Sequence, residues 1–202
     1  TLIDNIITQD IKKRYKIRNI DALKKLAHHI LNETPTIIVK DNLQDVIGIK
    51  SEQTLANYLL YLNQTYLIST ISKYSSKSRE RSRGEKSYAI DVAFMDKRDN
   101  AFSGDNLGWR LETIVYLELL RRKATTDNDI YYFKSRNAEA DFVVCDKNDN
   151  VVDSSFWESV LDDNVLEAFS DVEFYKNIIN EIEEKKEISK DGVVVSSKFI
   201  CD

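Results

Sequence analysis

Proline, glycine, cysteine and histidine are all scarce in this chain of 202 residues, which has 1 proline, 5 glycines, 2 cysteines and 2 histidines. The glycines stand singly, so the sequence has no GxxxxGK[ST] phosphate-binding loop and no site of that kind for ATP. Cys145 and Cys201 have no CxxC spacing, and His28 and His29 are adjacent. These spacings argue against a zinc site.

Long hydrophobic runs are also missing. No stretch approaches the roughly 18 apolar residues that a membrane-spanning helix needs, and the first residues lack the regions of a signal peptide. The composition, 42% hydrophobic and 31% charged, is that of a globular protein. We therefore expect a soluble cytoplasmic protein without a membrane partner. The sequence starts within an apolar helical pattern and without Met, so we interpret it as a fragment.

Charge is unevenly distributed between the two halves. Residues 1–100 contain 17 Lys and Arg against 12 Asp and Glu, a net charge of +5, whereas residues 101–202 contain 12 against 22, a net charge of −10. A basic half joined to an acidic half indicates two modules, of which the first is suited to face nucleic acid. We predict one domain over residues 1–100 and a second, with an acidic helical C-terminal region, over residues 101–202.

Two short helices joined by a tight turn are predicted within residues 41–69. Gly48 can adopt the left-handed backbone that ends the first helix, and Ser51 can cap the second with its hydroxyl. This is the pattern of a helix-turn-helix, although an ordinary helical hairpin whose polar face meets only water would fit it too. The apolar residues that form the shared face are Leu43, Val46, Ile47, Leu55, Tyr58, Leu59 and Leu62.

Two strands follow the second helix, because residues 66–74 and 86–91 alternate apolar and polar side chains. Between them lies a polar, basic segment over residues 75–86. Helix, helix, strand, basic loop, strand is the order of a winged helix, and a duplex DNA is the expected partner. A solvated hairpin tip, or a protein-docking module without DNA binding, remains the alternative. The predicted nucleic-acid-binding residues are Lys50, Gln53, Asn57, Lys77, Arg79, Arg81 and Arg83.

A further helix and strand are predicted before this pattern. Asn19 or Asp21 can cap a helix that ends before Pro35, and residues 37–39 read as a short apolar strand. The apolar stripe of that helix consists of Leu23, Leu26, Ala27, Ile30 and Leu31.

The second half combines a buried helix over residues 107–123 with strands over residues 130–134 and 140–145, so the fold class is α/β (α+β). Glu112 lies on the helix and Asp141 starts the second strand. The two acids could converge on a divalent cation such as Mg²⁺ as catalytic residues and metal ligands. Without a metal, they would need a proton or a base, and the nearby candidate bases are Arg110, Lys134 and Arg136.

Five segments give the chain a family resemblance: RYKIRN from Arg14, TLANYLLYLNQTYLI from Thr54, YAID from Tyr88, GWRLETIVYLELLRR from Gly108 and YYFKSRNAEADFVV from Tyr131. In this order they resemble the C-terminal part of prokaryotic AAA+ type ATPases. In those proteins a P-loop domain precedes a winged helix and a region similar to the PD-(D/E)XK nuclease core.

The resemblance implies a winged helix-turn-helix domain followed by a restriction-endonuclease-like α/β domain. It also implies an upstream ATPase domain that binds ATP and through which the protein could oligomerise. Glu112 matches the helical acid of the nuclease core and Asp141 the acid of its second strand. The (D/E)-x-K of a third strand is missing after Val152, so either the core is degenerate or residues are absent there. A DNA-binding or regulatory portion of an ATPase is therefore the expected function, with a metal-dependent nuclease as the alternative.

Overall fold

The computed structural model describes residues 1–75, 84–95, 108–135 and 139–152, together with the backbone of two short strands near the C-terminus. It has mixed α/β architecture with a five-stranded mixed sheet, which confirms the predicted α+β class. The chain divides into two compact units. Unit 1 is Thr1–Ile71 with Gly84–Asn106, and unit 2 is Ser72–Arg83 with Leu107–Asp202. The predicted boundary after residue 100 stays a prediction.

Helices make up most of unit 1. They are α1 (Leu2–Ile6), which continues through a π-helical turn (Ile7–Ile11) into α2 (Lys12–Arg14), then α3 (Ile20–Glu33), α4 (Lys40–Ile47) and α5 (Glu52–Gln64). Asn19 caps α3 as predicted, because its side-chain oxygen accepts from the Ala22 N–H at 3.0 Å. The apolar stripe predicted for α3 is buried along its whole length.

The strands of unit 1 are β1 (Thr36–Ile37), the first part of β2 (Ile68–Lys73) and β3 (Glu85–Ala89). β1 pairs antiparallel with β3 and is shorter than predicted. The Ile38 N–H still donates to the Glu85 carbonyl at 2.8 Å, but Val39 already caps α4. Helix formation therefore takes over before the third residue of the predicted strand can join the ladder.

Unit 2 contains α6 (Gly108–Thr126), β4 (Asp129–Lys134) and β5 (Glu139–Cys145). Ser72 and Lys73, the last residues of β2, pair parallel with β4, which pairs antiparallel with β5. The strand order in the sheet is β1-β3-β2-β4-β5. The helical pattern predicted beyond residue 152 lies outside the described residues, except for the pair of two-residue strands β6 (Ile188–Ser189) and β7 (Gly192–Val193).

Both sides of the β4–β5 hairpin are covered by apolar side chains. On one side Phe142 stacks against Tyr116 of α6, with ring centroids 6.3 Å apart. On the other side a separate cluster contains Ala140, Val143 and Cys145, against which Tyr74, Tyr131, Phe133 and Val151 pack. Within the part of the chain that the structure describes, no helix is long and apolar enough to cross a membrane.

Candidate nucleic-acid interface and carboxylate pair

The turn between α4 and α5 is fixed by three local devices. Gly48 has φ +69°, the left-handed conformation expected from the sequence. The Gln44 side-chain amide donates to the Lys50 carbonyl at 2.7 Å. The Ser51 hydroxyl accepts from the Thr54 N–H at 3.3 Å and so caps α5. These contacts set the angle at which α5 leaves α4.

The outward face of α5 carries two of the predicted nucleic-acid-binding residues. Gln53 is exposed and Asn57 half-buried, and the Gln53 side-chain amide donates to the Asn57 side-chain oxygen at 3.1 Å. This bond still leaves the Gln53 carbonyl oxygen and the Asn57 NH₂ group for a ligand. Lys50, also exposed, lies in the turn just before the helix. The remaining predicted contacts, Lys77, Arg79, Arg81 and Arg83, lie outside the described residues.

The helix pair itself is not basic. Residues 40–64 contain two Lys against three Asp and Glu, a net charge of −1, and Glu52 is the only charged residue of α5. The same face of α5 exposes half of the Leu60 surface, 50%. Positive charge for a phosphate backbone must therefore come from outside α4 and α5.

The two predicted acids of unit 2 are both buried. Glu112 is 7% exposed and Asp141 4%. Glu112 belongs to the buried stripe of α6, one helical turn before Tyr116. Since Tyr116 stacks on Phe142 of β5, the side of α6 that carries Glu112 is the side that faces the sheet.

A β-bulge directs Asp141 toward the same layer. Tyr131 pairs with Val143 and Phe133 with Ala140, so two residues of β5, Asp141 and Phe142, lie opposite Tyr132 alone. In a regular strand Asp141 and Phe142 would point to opposite sides of the sheet. The extra residue removes that alternation, so Asp141 shares the side of Phe142, which is the side of α6. The register thus places both carboxylates in the layer between α6 and the hairpin.

Of the three bases expected as partners of these acids, the structure shows Lys134 paired with a different carboxylate. Lys134 donates to both carboxylate oxygens of Glu139 at 3.1 Å. The Arg110 guanidinium lies 5.2 Å from the centre of the Trp109 ring. Arg136 lies outside the described residues. The exposed Lys134 is thus paired on the outer end of the hairpin rather than with Asp141.

Carboxylate oxygens are the ligands that Mg²⁺ and Mn²⁺ prefer, but such ions need several of them. Over the described residues, no group of three or more His, Cys, Asp or Glu could hold a metal ion. The described residues therefore supply fewer ligands than a magnesium or manganese ion needs.

Sequence patterns missed the aromatic pair and the bulge that orient the carboxylates. The four-residue spacing of Glu112 and Tyr116 is visible in the sequence and already places both on one helix face. The bulge is not visible, because the run from Ala140 to Cys145 is apolar at almost every position and shows no alternation to interrupt.

Comparisons with known proteins identify relatives but no activity. Residues 1–101 match the family model described as Domain of unknown function (DUF8612). An uncharacterized protein of Methanocaldococcus jannaschii is 31% identical over 154 residues, 74% of this chain and 34% of that protein. An uncharacterized protein of Haemophilus influenzae is 22% identical over 130 residues, 62% of this chain and 32% of that protein. The chain thus spans about a third of the length of these relatives. No solved structure matches it.

Proposed function

The chain belongs to the family described as Domain of unknown function (DUF8612), and we propose that it is the DNA-binding, regulatory portion of a longer AAA+ type ATPase. In this proposal residues within the predicted domain 1–100 form a winged helix whose α5 enters the major groove of duplex DNA. The observation that carries this proposal is the antiparallel pairing of β1 with β3. This pairing places the strand that precedes α4 next to the strand that follows β2 in the chain.

The order of elements supports this proposal. α3, β1, α4, α5, β2 and β3 follow one another, and the turn at Gly48 is short and capped on both sides. In a winged helix the second helix of the helix-turn-helix reads the groove while the loop between the last two strands contacts the backbone. In this chain the segment between Lys73 and Glu85 would supply that loop, and its sequence includes the basic residues from Lys77 to Arg83.

The side chains of α5 favour weak sequence preference. Amides such as those of Gln53 and Asn57 can bond to the edge of adenine, whereas α5 offers no Arg or Lys for guanine. Affinity would then depend mainly on contacts with phosphates, from Lys50 and the basic loop among others.

Binding to a short DNA duplex at increasing NaCl concentrations tests this proposal. We expect weak binding whose logarithmic salt slope falls when Arg81 and Arg83 are both changed to Glu, because each lost phosphate contact removes about 0.9 from the slope. The matched control changes Lys25 and Lys147 to Glu, two exposed residues outside α5 and the loop, with the same change in net charge.

Absence of binding at low salt would reject the DNA-binding role. The exposed Leu60 on α5 would then favour the other candidate, a surface that docks onto protein. Binding that the Arg81 and Arg83 changes do not alter would exclude the basic loop as the contact.

The link to an ATPase rests on the resemblance of the five segments and is tested separately. The relatives extend well beyond the region that this chain matches, so they have room for another domain. We expect the longer protein that contains this chain to hydrolyse ATP, at a rate that changes when duplex DNA is added. A rate of zero with and without DNA would reject this part of the proposal.

A metal-dependent nuclease is the second candidate, and the bulge at Asp141 favours it because it brings two buried carboxylates into one layer. We nevertheless propose a degenerate core, since the described residues supply no third ligand. Incubation with plasmid DNA and Mn²⁺ should therefore produce no cleavage. Cleavage that Glu112→Ala abolishes would show an active nuclease instead.

A further inference from the structure

A seven-residue stretch of unit 1 is more basic than any part of the helix pair. Residues 12–18, the basic segment, contain five cations and no acid. All five side chains are exposed, and none forms an ion pair with another residue that the structure describes. The five are Lys12, Lys13, Arg14, Lys16 and Arg18.

The basic segment is held against α5 by aromatic contacts. The rings of Tyr15 and Tyr61 stack with centroids 3.9 Å apart and planes 12° apart. The Tyr15 hydroxyl also donates to the Gln64 side chain. Just after the segment, the Tyr58 hydroxyl donates to the Asn19 carbonyl at 3.0 Å. Burial raises the pKa of Tyr58, so its hydroxyl keeps the proton that this bond needs.

These contacts leave the cations pointing away from the protein body. α2 ends at Arg14, and Tyr15 has the extended backbone angles φ −123° and ψ 144°. Tyr15 and Ile17 are half-buried, whereas Lys16 and Arg18 are exposed. The chain therefore presents its aromatic and apolar side chains to the protein and its charges to solvent, beside a helix that has no cation of its own.

We infer that the basic segment is a phosphate-binding site for duplex DNA, in which Lys16 and Arg18 flank the groove-entering helix α5 and supply the backbone contacts that α5 lacks. This inference rests on the proposed DNA-binding function and extends it to residues outside the helix-turn-helix. Two stacked tyrosines fix the segment before DNA arrives, so less conformational entropy is lost when the cations bind phosphates.

The test compares the unmodified chain with Lys16→Glu/Arg18→Glu in titrations of a short DNA duplex over a range of NaCl concentrations. Losing two phosphate contacts should lower the logarithmic salt slope by about 2 and weaken binding most at low salt. The control is Lys25→Glu/Lys147→Glu, which changes net charge equally at exposed positions outside the segment. It should keep the original slope.

A second variant tests the aromatic anchor without changing any charge. Tyr15→Ala should weaken DNA binding, whereas Tyr15→Phe, which keeps the stacked ring, should bind nearly as the unmodified chain does. Melting curves for every variant establish that unit 1 is still folded.

The outcomes separate the two proposals. If the unmodified chain binds no duplex at low salt, the proposed function fails and this inference fails with it. If the chain binds DNA but Lys16→Glu/Arg18→Glu matches the charge control, this inference is wrong while the winged-helix proposal stands. If polyglutamate binds the unmodified chain as tightly as DNA does, the segment is a site for an acidic protein instead.

Discussion

The two units differ in the polar groups that they bury. Besides the cation Lys86, unit 1 buries Thr34 and Ser87, whose hydroxyls donate to backbone carbonyls of Ser87 at 2.6 Å and Thr36 at 3.2 Å. These two bonds tie the end of α3 and strand β1 to β3. These bonds have a structural role, because they provide hydrogen-bond partners for buried hydroxyls where the strands contact the helices.

Unit 2 buries two groups of like charge, both of them acids. The hydroxyl of the buried Thr113 donates to the Trp109 carbonyl of the same helix at 2.8 Å. Glu112 and Asp141, in contrast, are carboxylates in one apolar layer. Burying a charge is far more costly than burying a hydroxyl, and packing alone gives no reason to keep two. Buried carboxylates are concentrated at functional sites. The buried acids of unit 2 are therefore candidates for a function, whereas the buried hydroxyls of unit 1 connect its strands and helices.

The largest effect is expected from the aromatic pair that positions the carboxylate layer. Phe142→Ala should lower the free energy of unfolding by about 3–5 kcal/mol, since Phe142 is 1% exposed and stacks on Tyr116. Urea denaturation measures the loss. Phe142→Leu, which keeps most of the volume, serves as the control and should cost under about 1.5 kcal/mol. Equal losses for the two variants would mean that the aromatic ring itself, rather than the buried volume, holds α6 to the hairpin.

Removing one charge from the layer tests what compensates the two acids. Glu112→Gln and Asp141→Asn keep the shape of each side chain and remove its charge. If the two acids form a metal site, the free energy of unfolding at pH 7 without added metal should rise by about 1–3 kcal/mol, because the repulsion between the two ligands is relieved, and melting curves will detect this.

The same two variants distinguish the other interpretation of the acids. If the carboxylates hold α6 to the sheet through ion pairs, each substitution lowers the melting temperature, because removing one member of a buried ion pair costs about 3–5 kcal/mol. A rise, together with stabilisation of only the unmodified chain by Mn²⁺, would favour a metal site over a degenerate core.

Removing a neutral buried group from unit 1 should lower the free energy of unfolding. Thr34→Val keeps the shape of the side chain and removes the hydroxyl that donates to the Ser87 carbonyl, which should cost about 1–2 kcal/mol. Thr36→Val is the control, since Thr36 is half-buried and contributes its carbonyl rather than its side chain to the Ser87 bond. If Thr34→Val stabilised the protein, the contrast between the two units would disappear.

Local signals in the sequence predicted more of unit 1 than of unit 2. Gly48, Ser51 and Asn19 each determine one helix boundary through a property of a single residue, and all three have the predicted role. The bulge at Asp141 and the parallel pairing of Lys73 with Tyr132 depend on residues distant in the sequence. No local preference encodes either arrangement.

The same limit applies to the candidate sites. Gln53 and Asn57 were predicted from helix periodicity, and the structure places both on the outward side of α5. The contact of Tyr15 with Tyr61 joins residues that are distant in the sequence, so the basic segment could be recognised from the sequence but its position beside α5 could not. Their roles in binding DNA stay predictions.

The smallest effect concerns a carboxylate of unit 1 whose partners are at the surface. Asp4 accepts from the Thr1 hydroxyl at 2.7 Å and lies 3.4 Å from His28 Nε2 and 3.7 Å from Lys24 Nζ. The Thr1 bond is the main cause, ahead of His28 and Lys24, that lowers the pKa of Asp4 from 3.8 to about 2.

A lowered pKa in the folded state stabilises the protein where the unfolded carboxyl is ionised, above about pH 3.8, and this contribution is lost as the pH falls through about 2. Because Asp4 is partly exposed, the contribution should stay below about 1 kcal/mol. Asp4→Asn should flatten the dependence of the unfolding free energy on pH between these values, as measured by urea denaturation. Thr1→Val should produce most of the same change, since it removes the largest cause. If Thr1→Val left the slope intact while Asp4→Asn flattened it, His28 and Lys24 would be the partners that matter.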